Sequence, residues 1–380
     1  MKKYSSILTS EAVGIGHPDK ICDQIADTVV TRLLAKDPYA HVACEVFASN
    51  HLIVVGGEIA TSSYVDVVKA AWDILLPLGY TYNDFTILAN INKQSSEISQ
   101  LVERTNKQLG AGDIGIAFGY ATNETKDLLP LPYILASKFI YKINDLTRKG
   151  TLKYANYDSK CQVTVRYEND IPVDIERVIV SLQHHKEANL KTLATQIKKL
   201  VLNPIAKEYK MSTNFIFELN KNGTFILGGP FGDTGLTGRK LMVDTYGSLG
   251  HHGGGAFSGK DYTKVDRTGA YYARYIAKNL VKAGVADKIE IQFSFNIGSE
   301  EPVSMDINTF DTEKIPEADI YAIVQKVFKF KLKDIVEELD MRKVNYIDTS
   351  VYGHFTTIRG TKSWERLDKV EQIKRLMNKI

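Results

Sequence analysis

Glycine-rich stretches that carry both cations and carboxylates recur along this chain, and they hold the residues best suited to chemistry. "GHPDK" spans Gly16–Lys20, "YDSK" spans Tyr157–Lys160, "GDTGLTGRK" spans Gly232–Lys240 and "GGGAFSGKDYTKVDR" spans Gly253–Arg267. Lys160, Arg239, Lys240, Lys260 and Lys264 can contact polyphosphate oxygens, each charge-assisted bond contributing about 1.5–3 kcal/mol. Asp19, Asp261 and Asp266 lie in the same stretches and would repel that ligand on their own. Mg2+ resolves the conflict, because it takes one or two carboxylates together with phosphate oxygens. Asp19 and Asp266, each near a helix start, are the carboxylates expected to share that task. The combination suits a nucleoside triphosphate.

Two better-known phosphate motifs fail their context. Gly254, Gly259 and Lys260 fit the G-x-x-x-x-G-K frame, but Asp261 stands where a Ser or Thr hydroxyl is needed. The amphipathic helix also starts late, near Asp266. "GAGDIG", Gly110–Gly115, fits G-x-G-x-x-G, yet a polar stretch precedes it and a strand, "IAFGYA", follows. Its glycines mark a tight turn with Asp113 at the centre. No Ser-His-Asp, Cys-His or H-E-x-x-H arrangement can be picked out.

The elements that must hold these residues can be read from periodicity. From Pro18 to about Lys36, Cys22, Ile25, Val29 and Leu33 recur at helical spacing. Pro18 suits the first helical position, which makes His17 the cap and aims a helix N-terminus at an anion. The strands "AHVACEVFA" and "LIVVGGEIA" follow, then a helix capped by Ser62 or Ser63. The same order returns with a helix near 132–148, strands "KCQVTVRYE" and "IPVDIERVIVSLQ", and a helix near 187–201. It returns again with a helix near 266–282, strands "KIEIQFSFNI" and "EPVSMDINTF", and a helix from about Pro316. This predicts a triplicated α+β unit. "LMVDT" reads as a strand, with Lys160 at the start of another. Residues 94–109 read as a surface helix or a mobile lid.

Composition narrows the rest. With 48 Lys+Arg, 45 Asp+Glu and a net charge of +3, the balance argues against nucleic-acid binding. No apolar run is long enough to cross a membrane. Cys22, Cys44 and Cys161 form no disulfide framework, so a cytoplasmic protein is expected.

"GHPDK", "GGEI" (Gly56–Ile59), "GAGDIG", "FGYATNET" (Phe118–Thr125), "GGPFGDTGLTGRK" and "GGGAFSGKD…KVDR" occur in this order from about Thr9 to Phe355. Together they closely resemble the S-adenosylmethionine synthetase (methionine adenosyltransferase) family. The resemblance implies three similar α+β subdomains about a pseudo-threefold axis, at 4–104, 109–228 and 229–370. It implies sheets packed face to face in a homodimer with shared active sites, paired again into a homotetramer. It implies ATP and L-methionine as substrates, with two Mg2+ and one K+ per site.

Residue roles follow from the same resemblance. His17 bonds near the leaving oxygen, and Lys160, Arg239, Lys240, Lys260 and Lys264 hold polyphosphate or the methionine carboxylate. Asp19 and Asp266 bind Mg2+, and Glu45 with Ser258 binds K+. Glu58 pairs with the methionine ammonium and Gln94 with its carboxylate. Asp113, Asp158 and Asp233 orient ribose or methionine. Phe225 stacks on adenine, with Ile297 and Ala256 beside it. Ile15, Ile114, Ser96-Glu97, Leu101 and Thr356-Thr357 depart from the family pattern, which puts lid closure and rate in question more than reaction type. A catalytically weak nucleotide or methionine sensor of the same fold is the competing reading. A P-loop-like kinase is a third, already weakened by Asp261 and the late helix.

Overall fold

The structure, a computed structural model, describes residues 5–93 and 109–379. In chain order the main elements are β1 (Ser5–Val13), α1 (Pro18–Lys36), β2 (His41–Ser49), β3 (Leu52–Ala60), α2 (Val67–Leu75), β4 (Thr86–Asn92) and β5 (Gly115–Thr122). Next come α3 (Leu131–Arg148), β6 (Ala155–Glu168), β7 (Ile171–His184), α4 (Leu190–Ile197), α5 (Asn203–Glu208), β8 (Ile216–Leu219), β9 (Gly235–Leu236) and α6 (Leu241–Asp244). The chain ends with α7 (Val265–Ala283), β10 (Lys288–Phe295), β11 (Ser304–Asn308), α8 (Glu317–Val327), α9 (Leu332–Glu338) and α10 (Val370–Met377).

The helix–hairpin–helix string occurs three times, as α1-β2-β3-α2, α3-β6-β7-α4 and α7-β10-β11-α8, and each hairpin is antiparallel. The strand ahead of each unit's first helix leaves that unit. β1 pairs with β6 of the second unit, β5 with β10 of the third, and β9 with β2 of the first. Each visiting strand runs antiparallel beside the first strand of its host hairpin. That closed exchange is what three units arranged about a common axis require, and it ties them into one α+β body.

Alternation sets the core. Val42, Cys44, Val46 and Ala48 of β2, and Ile289, Ile291, Phe293 and Phe295 of β10, are buried on one face of their sheets. α1 and α7 are buried nearly all round, so both are central helices rather than surface ones. The opposite sheet faces are more open and mix polar residues, such as Glu45, Gln162 and Gln292, with exposed apolar ones, Ile7, Phe47, Leu88, Ile116 and Ile216.

Three local readings are corrected. The second helix begins at Val67 behind Asp66, whose side chain accepts the N–H of Lys69, because that carboxylate outcompetes the Ser62 and Ser63 hydroxyls as a cap. "LMVDT" forms the short helix α6, closed by the Asp244 N–H on the Lys240 carbonyl and drawn inward by the bond between Asp244 and buried Lys20. Lys160 lies inside β6, opposite Val13 and Ser181, rather than at its start.

Cys22, Cys44 and Cys161 are buried and unbridged, and burial pushes each thiol up from its ordinary value. A thiolate is the reactive form. The folded protein is therefore expected to resist iodoacetamide at all three cysteines until denatured. Rapid labelling of any one under native conditions, read by mass, would contradict this burial.

His354 is enclosed. The Tyr271 hydroxyl accepts from Arg267 Nε at 2.9 Å and lies 2.6 Å from His354 Nδ1. Burial, with Arg267 and Lys20 nearby, holds the imidazole well below its ordinary range. It is expected to resist protonation below the pH at which a free imidazole titrates, which histidine-labelled NMR would show as ring shifts that change less with falling pH than those of an exposed histidine. The unfolded chain binds a proton below about pH 6.5 that the folded chain refuses. This group's contribution to stability is thus full above that pH and falls as pH drops below it.

Candidate active site

α1 starts where the chemistry is densest. His17 caps it and is only 2% exposed, with Nδ1 accepting the Asp19 N–H at 3.2 Å. Burial, then Lys240 and Lys160, lower its pKa to about 3. The ring is therefore neutral, and with Nδ1 accepting, the proton sits on Nε2, which is left as a donor.

The loop 232–240 is sewn onto α1. Asp19 Oδ1 accepts the Leu236 N–H at 3.0 Å, and Asp23 Oδ1 accepts the Gly238 N–H at 2.8 Å. Gly235 lies so close to the helix start that a Cβ there would sit 2.3 Å from the Pro18 carbonyl oxygen. Lys240 Nζ then reaches Asp19 Oδ2 at 2.6 Å, with Arg239 Nε 3.5 Å from Oδ1. Asp19 is buried, which opposes its charge, yet the Lys240 bond holds its carboxyl below the usual range. Asp158 accepts the Gly229 N–H at 2.7 Å, and burial raises its carboxyl to about 6. Asp233 follows Gly229 closely, its N–H on the Gly229 carbonyl. Phe225 is tied to His184 by two bonds, its N–H to the ring and its carbonyl to the His184 N–H.

The loop 253–264 is sewn onto β2. Cys44 N–H bonds the Gly259 carbonyl at 2.8 Å, and Ala43 bridges Lys260, which brings the loop carrying Ser258 alongside the strand carrying Glu45. Gly259 has φ +84°, and a Cβ there would strike the Cys44 carbonyl oxygen at 1.9 Å, so only glycine fits. Glu58 of β3 also faces Ala43. Lys260 Nζ pairs with Asp266 Oδ2 at 2.5 Å, at the first turn of α7.

Asp261, the letter that spoils the phosphate-loop frame, is a strut. It is fully buried and accepts the N–H groups of Val42 at 2.5 Å and Thr263 at 2.7 Å, and the Lys264 ammonium at 2.6 Å. The turn 110–115 docks beside this loop. The Gly112 N–H meets the Thr263 carbonyl at 3.1 Å, the Gly298 N–H meets that of Ala111, and a Cβ on Gly115 would sit 2.8 Å from Asp266 Oδ1. Asp113 is exposed at its tip, and Ile297 lies next to Gly298.

The expected residues thus form two groups. His17, Asp19, Asp158, Lys160, Asp233, Arg239 and Lys240 gather around the start of α1, and Phe225 lies beside His184 at the end of β7. Glu45, Glu58, Asp113, Ser258, Lys260, Lys264, Asp266 and Ile297 gather around β2 and the start of α7. Their edges touch at the two glycine loops, where a Cβ on Gly238 would lie 2.3 Å from the Cβ of Ala256. Gln94, Ser96, Glu97 and Leu101 lie outside the described residues. Ile114 is exposed, Ile15 lines a groove of about 360 Å³, and Thr356 is buried with its hydroxyl on the Tyr352 carbonyl.

Comparison with known proteins decides between the readings. Three family models match in sequence: the N-terminal domain of S-adenosylmethionine synthetase over 5–104, its central domain over 108–225 and its C-terminal domain over 227–366. The S-adenosylmethionine synthase of Mycoplasmopsis pulmonis is 48% identical over 370 residues, covering 97% of this chain and 98% of that one. The chain belongs to the S-adenosylmethionine synthetase family. The S-adenosylmethionine synthase of Clostridium botulinum is 44% identical over 386 residues, with 97% of this chain and 99% of the other covered. That of Mycoplasma capricolum is 46% identical over 377 residues, at 97% and 96%. As a member at this likeness the chain is a methionine adenosyltransferase, and the sensor reading is not favoured. Membership of the synthetase family also implies metal cofactors.

Several buried residues escaped the sequence reading, among them Lys20, Asp23, Asp27, Thr237, Asp244 and Arg267. Asp19, Asp23 and Asp27 recur every four residues on a helix otherwise rich in apolar positions, and that spacing was the available signal.

Proposed function

We propose that the two groups of residues perform the family's reaction in these roles: ATP and L-methionine, with water, give S-adenosylmethionine, pyrophosphate and phosphate. The observation that carries this reading is the pairing of phosphate-type cations with metal-type carboxylates, Lys240 on Asp19 and Lys260 on Asp266. A Mg2+–triphosphate would exchange both pairs at once, giving the lysines phosphate oxygens and the carboxylates a metal.

The donor set fits such metals. Among the described residues no group of three or more His, Cys, Asp or Glu side chains could hold a metal alone. Asp19 and Asp266 suit Mg2+ that draws its other ligands from substrate and water. The Ser258 hydroxyl is buried without a hydrogen-bond partner among the described residues, on a loop that bridges the strand of Glu45, which suits K+. Two Mg2+ and one K+ per site is our assignment, and when bound they offset the charge of the triphosphate.

The thioether sulfur is neutral and needs no general base. It attacks C5′ of ATP, the S–C5′ bond forms as the C5′–O bond breaks, and the triphosphate leaves and is then hydrolysed. The chain's task is alignment and stabilisation of leaving charge. Neutral His17 donates from Nε2 toward the bridging oxygen. Lys160, Arg239, Lys240, Lys260 and Lys264 bind the phosphates or the methionine carboxylate. Glu58 receives the methionine ammonium and Gln94 its carboxylate. Asp113, Asp158 and Asp233 orient ribose and methionine, while Phe225, Ile297 and Ala256 enclose adenine.

The two half-sites suit a homodimer in which each subunit completes the other's site, pairing further into a homotetramer. The open sheet faces carrying Phe47, Leu88, Ile116 and Ile216 support that association, since apolar patches of this kind seek a partner. The subdomain bounds 4–104, 109–228 and 229–370 and a cytoplasmic location complete the reading. No helix among the described residues is long and apolar enough to cross a membrane. Incubation with ATP, L-methionine, Mg2+ and K+ should yield S-adenosylmethionine by mass. Bound ATP with no methionine-dependent product would overturn the assigned roles.

A further inference from the structure

Three aspartates of α1 sit at four-residue intervals, which places them along one stripe of the helix. Each accepts one backbone N–H from a glycine loop: Leu236 on Asp19 at 3.0 Å, Gly238 on Asp23 at 2.8 Å and Gly259 on Asp27 at 2.9 Å. Each is also paired with a cation: Lys240 at 2.6 Å, Lys20 at 2.9 Å and Arg267 at 2.7 Å, with Arg239 a second, longer partner of Asp19 at 3.5 Å. Asp19 is at the open end of the stripe. Asp23 is fully buried, bonded through its other oxygen to Lys20, and has no face toward a ligand.

We propose that Asp23 is a positioning residue for phosphate binding: through the Gly238 N–H it fixes where Arg239 and Lys240 are presented. The inference rests on reading those two residues as triphosphate ligands. Gly238 has φ +74°, a Cβ there would meet the Cβ of Ala256, and among the described residues its N–H bonds only to Asp23. Without it, the two residues that follow are free to shift, and a displacement of about 1 Å from productive geometry can cost a hundredfold in rate.

The test is Asp23→Asn. Lys20 keeps Asp244 as its counter-charge, so no buried cation is orphaned. The amide cannot serve both neighbours: the Lys20 ammonium, the stronger donor, takes the amide oxygen, and the NH2 then faces the Gly238 N–H, which loses its acceptor. Three readouts are compared with the wild type: amide exchange by mass, binding of inorganic tripolyphosphate, and steady-state kinetics. Exchange should quicken over 236–240 and stay unchanged over 258–261. Tripolyphosphate affinity and kcat should fall about tenfold or more, the scale of a lost charge-assisted bond. KM for methionine should stay within about twofold, because Glu58 belongs to the other group.

Unchanged exchange at 236–240 with unchanged tripolyphosphate affinity would overturn the proposal. A merely structural role would instead quicken exchange throughout and lower the active fraction without altering that affinity, which also overturns it. If D23N does not fold, the wild type decides: its Gly238 amide should exchange slowly with no ligand present, and fast exchange overturns the anchor. Wild-type protein that fails to bind tripolyphosphate would defeat the reading of the site, while the exchange pattern still reports separately on the anchor.

Discussion

Asp266→Ala is expected to lower turnover about a hundredfold or more, and Lys160→Ala to do the same, with little change in unfolding temperature. Asp266 stands at the first turn of α7, with one oxygen on Lys260 and the other toward the turn at Gly115. Its side chain retains some solvent contact, so truncation leaves no sealed charge behind and the fold should survive. On the proposed roles, what is lost is an oxygen ligand for Mg2+ and the placement of Lys260. Lys160 projects from β6 into solvent and makes no ion pair among the described residues. It is close enough to His17 to depress the imidazole and to Asp158 to favour its charge. On the proposed roles, a cation with no ion-pair partner among the described residues is available to the leaving phosphate. Loss of one such transition-state contact costs about 10²–10³ in kcat. Rates measured with saturating ATP and methionine, alongside melting curves, make the check. Near-normal turnover in both variants would remove the phosphate and metal assignments together.

The sequence exposed the site's outward residues more readily than its supports. Glycine loops carrying Arg239, Lys240 and Lys260 stand out because charge beside glycine is conspicuous along the chain. The triplicated helix–hairpin–helix order was legible from periodicity, since each buried strand face alternates and α1 and α7 are long. The exchange of β1, β5 and β9 between units was not, because a strand's partner is chosen by packing far away in sequence. Asp261 shows a different limit. Read in its local frame it looks like a failed metal ligand, yet its partners are Val42, Thr263 and Lys264, one of them on another unit. "LMVDT" has strand-like composition, but Asp244 is claimed by buried Lys20, and a short helix delivers it there. The gathering of the site residues into two groups also lay beyond local sequence reasoning, since order along the chain does not say which loops meet.

Removing Asp27 should be the most damaging change to stability, by about 3–5 kcal/mol, because it strands a buried guanidinium. Arg267 and Asp27 are both fully buried and bond through two nitrogens at 2.7 and 2.8 Å. The guanidinium also bonds the Lys260 carbonyl at 2.9 Å, the Tyr271 hydroxyl at 2.9 Å and Thr349 at 3.1 Å, and lies 4.1 Å from the Tyr346 ring centroid. It thereby joins α1, α7, the loop 258–261 and the C-terminal segment. Asp27→Ala removes the counter-charge and the acceptor for the Gly259 N–H in one step. Total stability for a folded domain is about 5–15 kcal/mol, so this variant should have a far lower denaturation midpoint or accumulate poorly. Replacing both partners, as Asp27→Leu with Arg267→Met, should recover part of the loss, since no unpaired charge is then buried. Denaturant midpoints for Asp27→Leu, Arg267→Met and the double variant form a cycle whose coupling term isolates the pair. A loss below about 1 kcal/mol in Asp27→Ala would mean that the pair does not hold the four segments together. If the double variant recovers stability but not activity, the pair is retained for where it places the Lys260 carbonyl and the Gly259 N–H, and so for the phosphate loop itself.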